Sequence, residues 1–335
     1  MIQSAQANSL VSVVIPLFNG EKYIGETLDT VLTQTYEALE VLVVDDASTD
    51  DGPNLVAALA AEHPGKLKLL RHSDHANHGI AASRNLAIRN AKGAWIGFVD
   101  QDDQWSPRKI ERQMEVIGRY PEVGIVYAKS SFMNQNGIEV PLAGLHMSGG
   151  RGTPGEPRNI FRELIKENII PTCTTLVRRD CIDRVGLLDE GPRFEYEDWI
   201  VFSKMAYFYS AIFIPEILSR YRVHDNNYSA YLFRTGQLYH AEEHYTISLF
   251  SFLFDNDVRS REKLRALLRR RIRFFFLRAR SWGVTSEVLR QHADRFLEAF
   301  PDDERSIRAA ARVAMLLHPG IAASIRRLRR SIVRV

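Results

Sequence analysis

The chain has 335 residues, 45% of them hydrophobic and 25% charged, with two cysteines. That composition excludes collagen-like, disordered and disulfide-scaffold proteins, and no run reaches the roughly 18 apolar residues of a membrane span. The net charge of +3 conceals a split: residues 258–335 hold 20 Arg and Lys against 7 Asp and Glu, a net of +13, whereas residues 1–257 hold 24 against 34, a net of −10.

The first ten residues, MIQSAQANSL, lack the basic and apolar regions of a secretory signal, so a cytoplasmic chain is expected. VSVVIPL at 11–17 is short, apolar and β-branched, and predicts a buried strand. Ile24, Leu28, Val31 and Leu32 recur at helical spacing. Leu39 to Val44 predicts a second strand that runs into Asp45-Asp46. Ser48, Thr49 and Asp50 are capping types ahead of an apolar-periodic helix over 55–61. Strands are expected again at 66–70, 95–99 and 124–128, with helices at 80–91 and after Pro107. Strand–helix alternation of this kind predicts a parallel sheet flanked by helices, with ligands beyond the carboxyl ends of the strands. Residues 131–170 are rich in Gly and Pro and predict a loop, and from Tyr231 onward the pattern is helical.

Both acidic clusters fall at predicted strand ends. FVDQDDQW places Asp100, Asp102 and Asp103 together, where like charges repel unless a cation or hydrogen-bond donors compensate. Alternate residues of an extended backbone share a face, so Asp100 and Asp102 could meet one hard ion such as Mg²⁺ or Mn²⁺. A solvated acidic turn would use the same residues. Asp45-Asp46 suits hydrogen bonds to a ribose or a base, or a cap cluster. Glu197-Asp198 opens an aromatic-rich helical segment, which suits a general base or simple dipole complementation. RHSDHANHG groups His72, Asp74, His75 and His78, and reads as a polar loop better than as a zinc site. No GxGxxG, P-loop or GxSxG motif occurs.

The order VSVVIPLFNGEKYI, VLVVDDASTDDG, NHGIAASRNLAIRNAKGAWIGFVDQDDQW, YEDW, YRVHDNNYS resembles family 2 glycosyltransferases over about residues 10–229. The resemblance implies a GT-A fold: a Rossmann-like, mostly parallel sheet flanked by helices. It implies a nucleotide-sugar half at about 10–130 and an acceptor half at about 131–229, with residues 230–335 left as a helical basic appendage. It implies a nucleotide-diphospho-sugar donor, by default UDP-linked, a Mn²⁺ or Mg²⁺ cofactor, and inversion at the anomeric carbon. Pro16, Asn19, Asp45, Asp46 and Arg84 match nucleotide-binding positions. Asp100 and Asp102 match the DxD carboxylates for ribose and metal, with Asp103 adjacent. Asp198 matches the catalytic base, beside Glu197, and His224 matches a residue that approaches the metal in some members. Thr172, Cys173, Thr174 and Thr175 match an acceptor-lining stretch, with Thr174 as the lining candidate. A half-buried strand would use the same threonines.

Two departures stand out. WIVF follows the acidic pair where many members read WDLW, and the QxxRW motif of processive synthases is absent. One or a few sugars are therefore expected to be added, to a glycan or lipid-linked acceptor, in cell-envelope polysaccharide synthesis.

The tail lies outside the resemblance. Leu264, Leu267, Leu268, Ile272, Phe275 and Phe276 form an apolar stripe, and Arg265, Arg269, Arg270, Arg273 and Arg280 form a basic face. Such a helix suits the inner face of an anionic membrane, and IRRLRRSIVRV at the end is a second such segment. Packing on the catalytic domain or a partner subunit would use the same stripe. A sugar-phosphate nucleotidyltransferase would need a Gly-rich basic N-terminal loop that VIPLFNGEKY lacks. A nucleic-acid-binding tail would need a base-stacking platform, and Phe274-Phe275-Phe276 reads as packing. Oligomeric state stays open.

Overall fold

The computed structural model describes residues 9–141, 150–191, 196–224, 227 and 238–318. The chain divides into two compact units, Met1–Asp225 and Asn226–Val335.

The first unit is built on one nine-stranded sheet. Four strands are parallel: β1 (Val11–Leu17), β2 (Leu39–Asp45), β3 (Leu67–Arg71) and β4 (Trp95–Phe98). Every residue of β1 and β2 is buried, which is why they read as unbroken apolar runs. Between them run α1 (Ile24–Leu32), α2 (Gly52–Glu62) and α3 (Ile80–Asn90).

Beyond β4 the sheet becomes mixed. β5 (Gln104–Trp105) precedes α4 (Lys109–Arg119), which starts two residues after Pro107. β6 (Ile125–Asn134) runs six residues past the predicted end and carries a short hairpin partner, β7 (Glu139–Val140). A turn of helix, α5 (Phe161–Leu164), leads to a 3₁₀ turn at Thr172–Thr174 and then to β8 (Leu176–Arg178). β8 inserts antiparallel between β4 and β6. Then come α6 (Arg179–Val185), α7 (Glu197–Phe208) and β9 (Ala211–Val223), which pairs parallel to β6 and antiparallel to β5. The fold is thus the expected α/β sheet flanked by helices, with an antiparallel strand at its centre.

The second unit holds four helices among its described residues: α8 (Leu238–Asn256), α9 (Arg261–Ser281), α10 (Ser286–Ala299) and α11 (Glu304–Leu316). The α9 stripe expected for a membrane or another domain is the core of this bundle. Leu264, Leu268, Ile272, Phe275 and Phe276 are buried with Tyr245, Leu249, Phe250, Leu253, Leu289, Phe296 and Ile307. Burying five such side chains is worth roughly 1.5–3 kcal/mol each, so they are held away from lipid. The basic face is partly consumed as well. Arg265 pairs with Asp302, Arg269 lies 2.5 Å from Asp303, and Arg280 donates to the Leu317 and Val284 carbonyls. Arg270 and Arg273 are exposed. IRRLRRSIVRV lies outside the described residues.

Candidate active site

The acidic clusters sit where β2 and β4 end, and a third acidic pair opens α7. Arg84, on α3, joins the last two of these. It is 2% exposed, its Nη2 donates to Asp100 and its Nη1 lies 2.5 Å from Glu197 Oε1. Two carboxylates and the field of Asp198 hold this guanidinium firmly charged, above its usual range, despite burial. Breaking such a buried pair leaves an uncompensated charge, so Arg84 fixes α7 against the end of β4. The position implied a nucleotide contact; two of its nitrogens are engaged with protein carboxylates, while its buried Nε has no hydrogen-bond partner.

Asp198 follows Glu197 in the first turn of α7. Its Oδ2 accepts the Thr172 hydroxyl and its Oδ1 accepts the Trp199 N–H at 2.6 Å. Burial raises its carboxyl above the ordinary range, opposed by the Thr172 hydrogen bond and Arg84. Burial likewise pushes Glu197 up, against the pull of Arg84. Each Asp198 oxygen keeps a second lone pair. The residue is therefore oriented, partly desolvated and still able to take a proton, as a general base requires.

Thr172 is the threonine that reaches the carboxylate. Thr174, the expected lining residue, is fully buried, and its hydroxyl donates to the Pro171 carbonyl and accepts the Ala128 N–H. The 3₁₀ turn separates the two. Cys173 points inward to Ser219 at 3.3 Å, and burial pushes its thiol well up, so it is inert as a nucleophile.

Asp100 and Asp102 remain reachable, with side chains 29% and 15% exposed. Asp102 Oδ2 lies 2.8 Å from His224 Nε2, just past the end of β9. Burial and the neighbouring Asp100 raise its carboxyl, with His224 opposing. Asp103 is fully buried and accepts the Arg222 backbone N–H at 2.9 Å, which makes it a brace rather than a ligand. Burial and its two acidic neighbours push it well up. Arg222 is a second brace that sequence reasoning missed. Its Nε donates to the Asp102 carbonyl at 2.8 Å, its Nη2 pairs with Glu26 at 2.7 Å, and its guanidinium lies 4.5 Å from the centre of the Tyr23 ring. Its place two residues before His224 in YRVH was the available signal.

The nucleotide-side residues form a second cluster. Pro16 lies in β1 opposite Val44. Asn19 has a left-handed φ of 48°, and its side chain accepts the Thr49 N–H at 2.8 Å. Asp45 accepts the Ser48 N–H and pairs with Arg71 at 3.1 Å. Asp46 accepts the N–H groups of His78 and Gly79 at 2.7 and 2.8 Å. Gly79 turns that amide toward Asp46 with a φ of 86°, a conformation glycine adopts without strain, and α3 starts there. Asp46 thus couples the end of β2 to the helix that carries Arg84. In the histidine loop, His78 pairs with Asp74 at 2.9 Å and His72 with Ser83 at 3.1 Å, as a polar loop does. Asn19, Ala47, His75 and Tyr196 all have positive φ, and such strain concentrates at functional loops.

This α/β sheet flanked by helices, with carboxylates at its strand ends, is the GT-A fold that the order of motifs implied. The sequence profile of glycosyl transferase family 2 matches residues 12–186, more than half the chain, and the protein belongs to that family. It is 28% identical over 219 residues to an uncharacterized glycosyltransferase of Rickettsia typhi, covering 64% of each chain. It is 26% identical over 227 residues, 66% of this chain and 82% of the relative, to the putative teichuronic acid biosynthesis glycosyltransferase TuaG of Bacillus subtilis. Over 129 residues, 38% of this chain and 49% of the relative, it is 34% identical to WfgD of Escherichia coli, a UDP-Glc:alpha-D-GlcNAc-diphosphoundecaprenol beta-1,3-glucosyltransferase. Among solved structures it resembles the mannosyltransferase PcManGT of Pyrobaculum calidifontis in complex with GDP-Man and Mn²⁺, with a TM-score of 0.57 at 20% identity over 98% of this chain and 81% of that one. It also resembles S. aureus TarS 1-349 in complex with UDP-GlcNAc, with a TM-score of 0.53 at 19% identity over 90% of each.

Proposed function

We propose that the protein is an inverting glycosyltransferase that moves a hexosyl or N-acetylhexosaminyl group from a nucleotide-diphospho-sugar, UDP-linked by preference, to a hydroxyl of a glycan or lipid-linked acceptor in cell-envelope synthesis. The observation that carries this reading is the Arg84 bridge, which sets the Glu197-Asp198 pair beside the end of β4 where Asp100 and Asp102 lie. The acceptor hydroxyl gives its proton to Asp198 as its oxygen bonds to the anomeric carbon. The bond from that carbon to the diphosphate oxygen breaks in the same displacement, so configuration inverts and no covalent enzyme intermediate forms. The Thr172 hydroxyl and the Trp199 N–H hold Asp198 in place for this step.

Pro16, Asn19, Asp45 and Asp46 form the nucleotide side, with Asp46 acting also through the 78–79 turn. Asp100, Asp102 and His224 fit a divalent cation, because two partly reachable carboxylates repel one another and a nitrogen stands beside them. One imidazole among carboxylates suits Mn²⁺ better than Mg²⁺. A cation held there supplies Lewis-acid stabilisation of the departing diphosphate.

The TuaG and WfgD names support an envelope glycan and a lipid-linked acceptor. No helix among the described residues is long and apolar enough to cross a membrane. With the α9 stripe buried, contact with an anionic inner membrane surface would be electrostatic, through exposed residues such as Arg270 and Arg273. A calorimetric panel of UDP-, dTDP- and GDP-sugars with and without Mn²⁺ tests the donor reading. Binding of a UDP-sugar strengthened by Mn²⁺ is expected. Failure of every sugar nucleotide to bind would contradict it.

A further inference from the structure

The helical unit contains a buried group with no part in the reaction above. His240 and Glu243 lie three residues apart on α8, hence on one face, and His292 on α10 meets them. One ligand atom from each residue lies within 4.8 Å of the other two. Glu243 is 4% exposed and His292 is fully buried, whereas His240 is partly exposed.

The contacts around His292 conflict. Its Nδ1 lies 2.7 Å from Glu243 Oε1 and 2.8 Å from Arg295 Nη2. A ring nitrogen donates or accepts, and cannot do both. If it accepts from Arg295, its lone pair faces a carboxylate. If it donates to Glu243, its proton faces a guanidinium N–H. With Arg295 withdrawn, a positive ion between the carboxylate and the ring satisfies both. The other ring nitrogen, Nε2, is buried without a hydrogen-bond partner, so no second contact fixes the ring's tautomer. Arg295 is 38% exposed and can swing into solvent, leaving the Glu243 charge for the ion. Glu242, next in sequence, is already paired with Arg271 and Arg278.

We infer that His240, Glu243 and His292 form a binding site for one borderline divalent cation of the Zn²⁺ kind, distinct from the carboxylate site of the catalytic unit. Two imidazoles and one carboxylate are a zinc-type ligand set, and nitrogen donors select against Mg²⁺ and Ca²⁺. Half-open His240 gives the ion a way in and leaves a position for water.

The test uses the full chain without an affinity tag, stripped with EDTA and titrated with Co²⁺. Visible d–d bands that saturate with one equivalent beyond any taken by the carboxylate site, and bleach on addition of Zn²⁺, are expected. His240→Ala should weaken the site by about tenfold or more. Arg295→Ala should tighten it, because a competing cation is gone, and Asp102→Asn should leave it unchanged. Bands that saturate at the same Co²⁺ concentration in His240→Ala as in the native chain, or that vanish in Asp102→Asn, overturn the proposal. If His240→Ala does not fold, the Asp102→Asn chain, with its carboxylate site disabled, decides alone: no bands, and no rise in Tm with one equivalent of Zn²⁺, would mean that a proton rather than a metal sits between Glu243 and His292.

Discussion

The two units handle charge in opposite ways. In the catalytic unit, Asp100, Asp102, Asp103, Glu197 and Asp198 crowd together, and burial raises four of the five. Arg84 and Arg222 offset only part of that charge, and the remainder is what a cation and a proton-accepting step can use. In the helical unit, Arg265, Arg269, Arg271, Arg278 and Arg295 face Asp302, Asp303, Glu242 and Glu243. There these five arginines are paired with carboxylates, and the rest of the basic surplus, such as Arg270 and Arg273, lies exposed in water. A charge imbalance in a sequence becomes function only where the fold leaves it uncompensated.

The strongest way to break this contrast is Arg84→Met. Removing the buried cation strands two carboxylates, which should cost about 3–5 kcal/mol in urea unfolding and reduce kcat/KM by at least about 100-fold. Arg84→Lys should not restore either, because a single ammonium cannot bridge both partners. On the helical side, Leu268→Ala should lower stability by about 2–5 kcal/mol, read from denaturant melts. A loss under about 0.5 kcal/mol would mean that the α9 stripe is not the core of its unit.

Thr172→Val sharpens the catalytic half. The hydroxyl favours ionised Asp198, so its loss should raise the base's pKa and move the acid limb of the kcat profile to higher pH. A fall of about tenfold in kcat with little change in KM is expected. An unmoved limb would make Thr172 merely structural.

A separate test concerns Lys109, which is fully buried, 3.8 Å from the Trp105 ring centre and bonded to Gln113 at 2.8 Å. Burial lowers it to about 7, from an ordinary 10.5. Between those pH values the unfolded chain holds a proton the folded chain lacks, so stability should rise with pH across that window. Lys109→Met should flatten the rise in Tm measured from pH 7 to 10.

Much of this was legible because buried parallel strands leave continuous apolar runs. Those runs place Asp45-Asp46 and Asp100–Asp103 at strand ends from the sequence alone. The three residues of β8 are too few to show a period, so the antiparallel insertion was not legible. Four polar residues follow Pro171, and only the 3₁₀ turn decides that Thr172 rather than Thr174 meets Asp198. Periodicity showed that α9 has one apolar face but carries no record of what covers it. The cover comes from helices on either side in sequence, α8, α10 and α11.

The central claim is that Asp198 takes the acceptor proton. Asp198→Asn keeps the shape and the Thr172 contact but removes the basic carboxylate. Transfer measured beside calorimetric binding of the donor nucleotide should fall by at least about 100-fold while the Kd changes by less than about threefold. Transfer at the native rate in that variant would contradict the account.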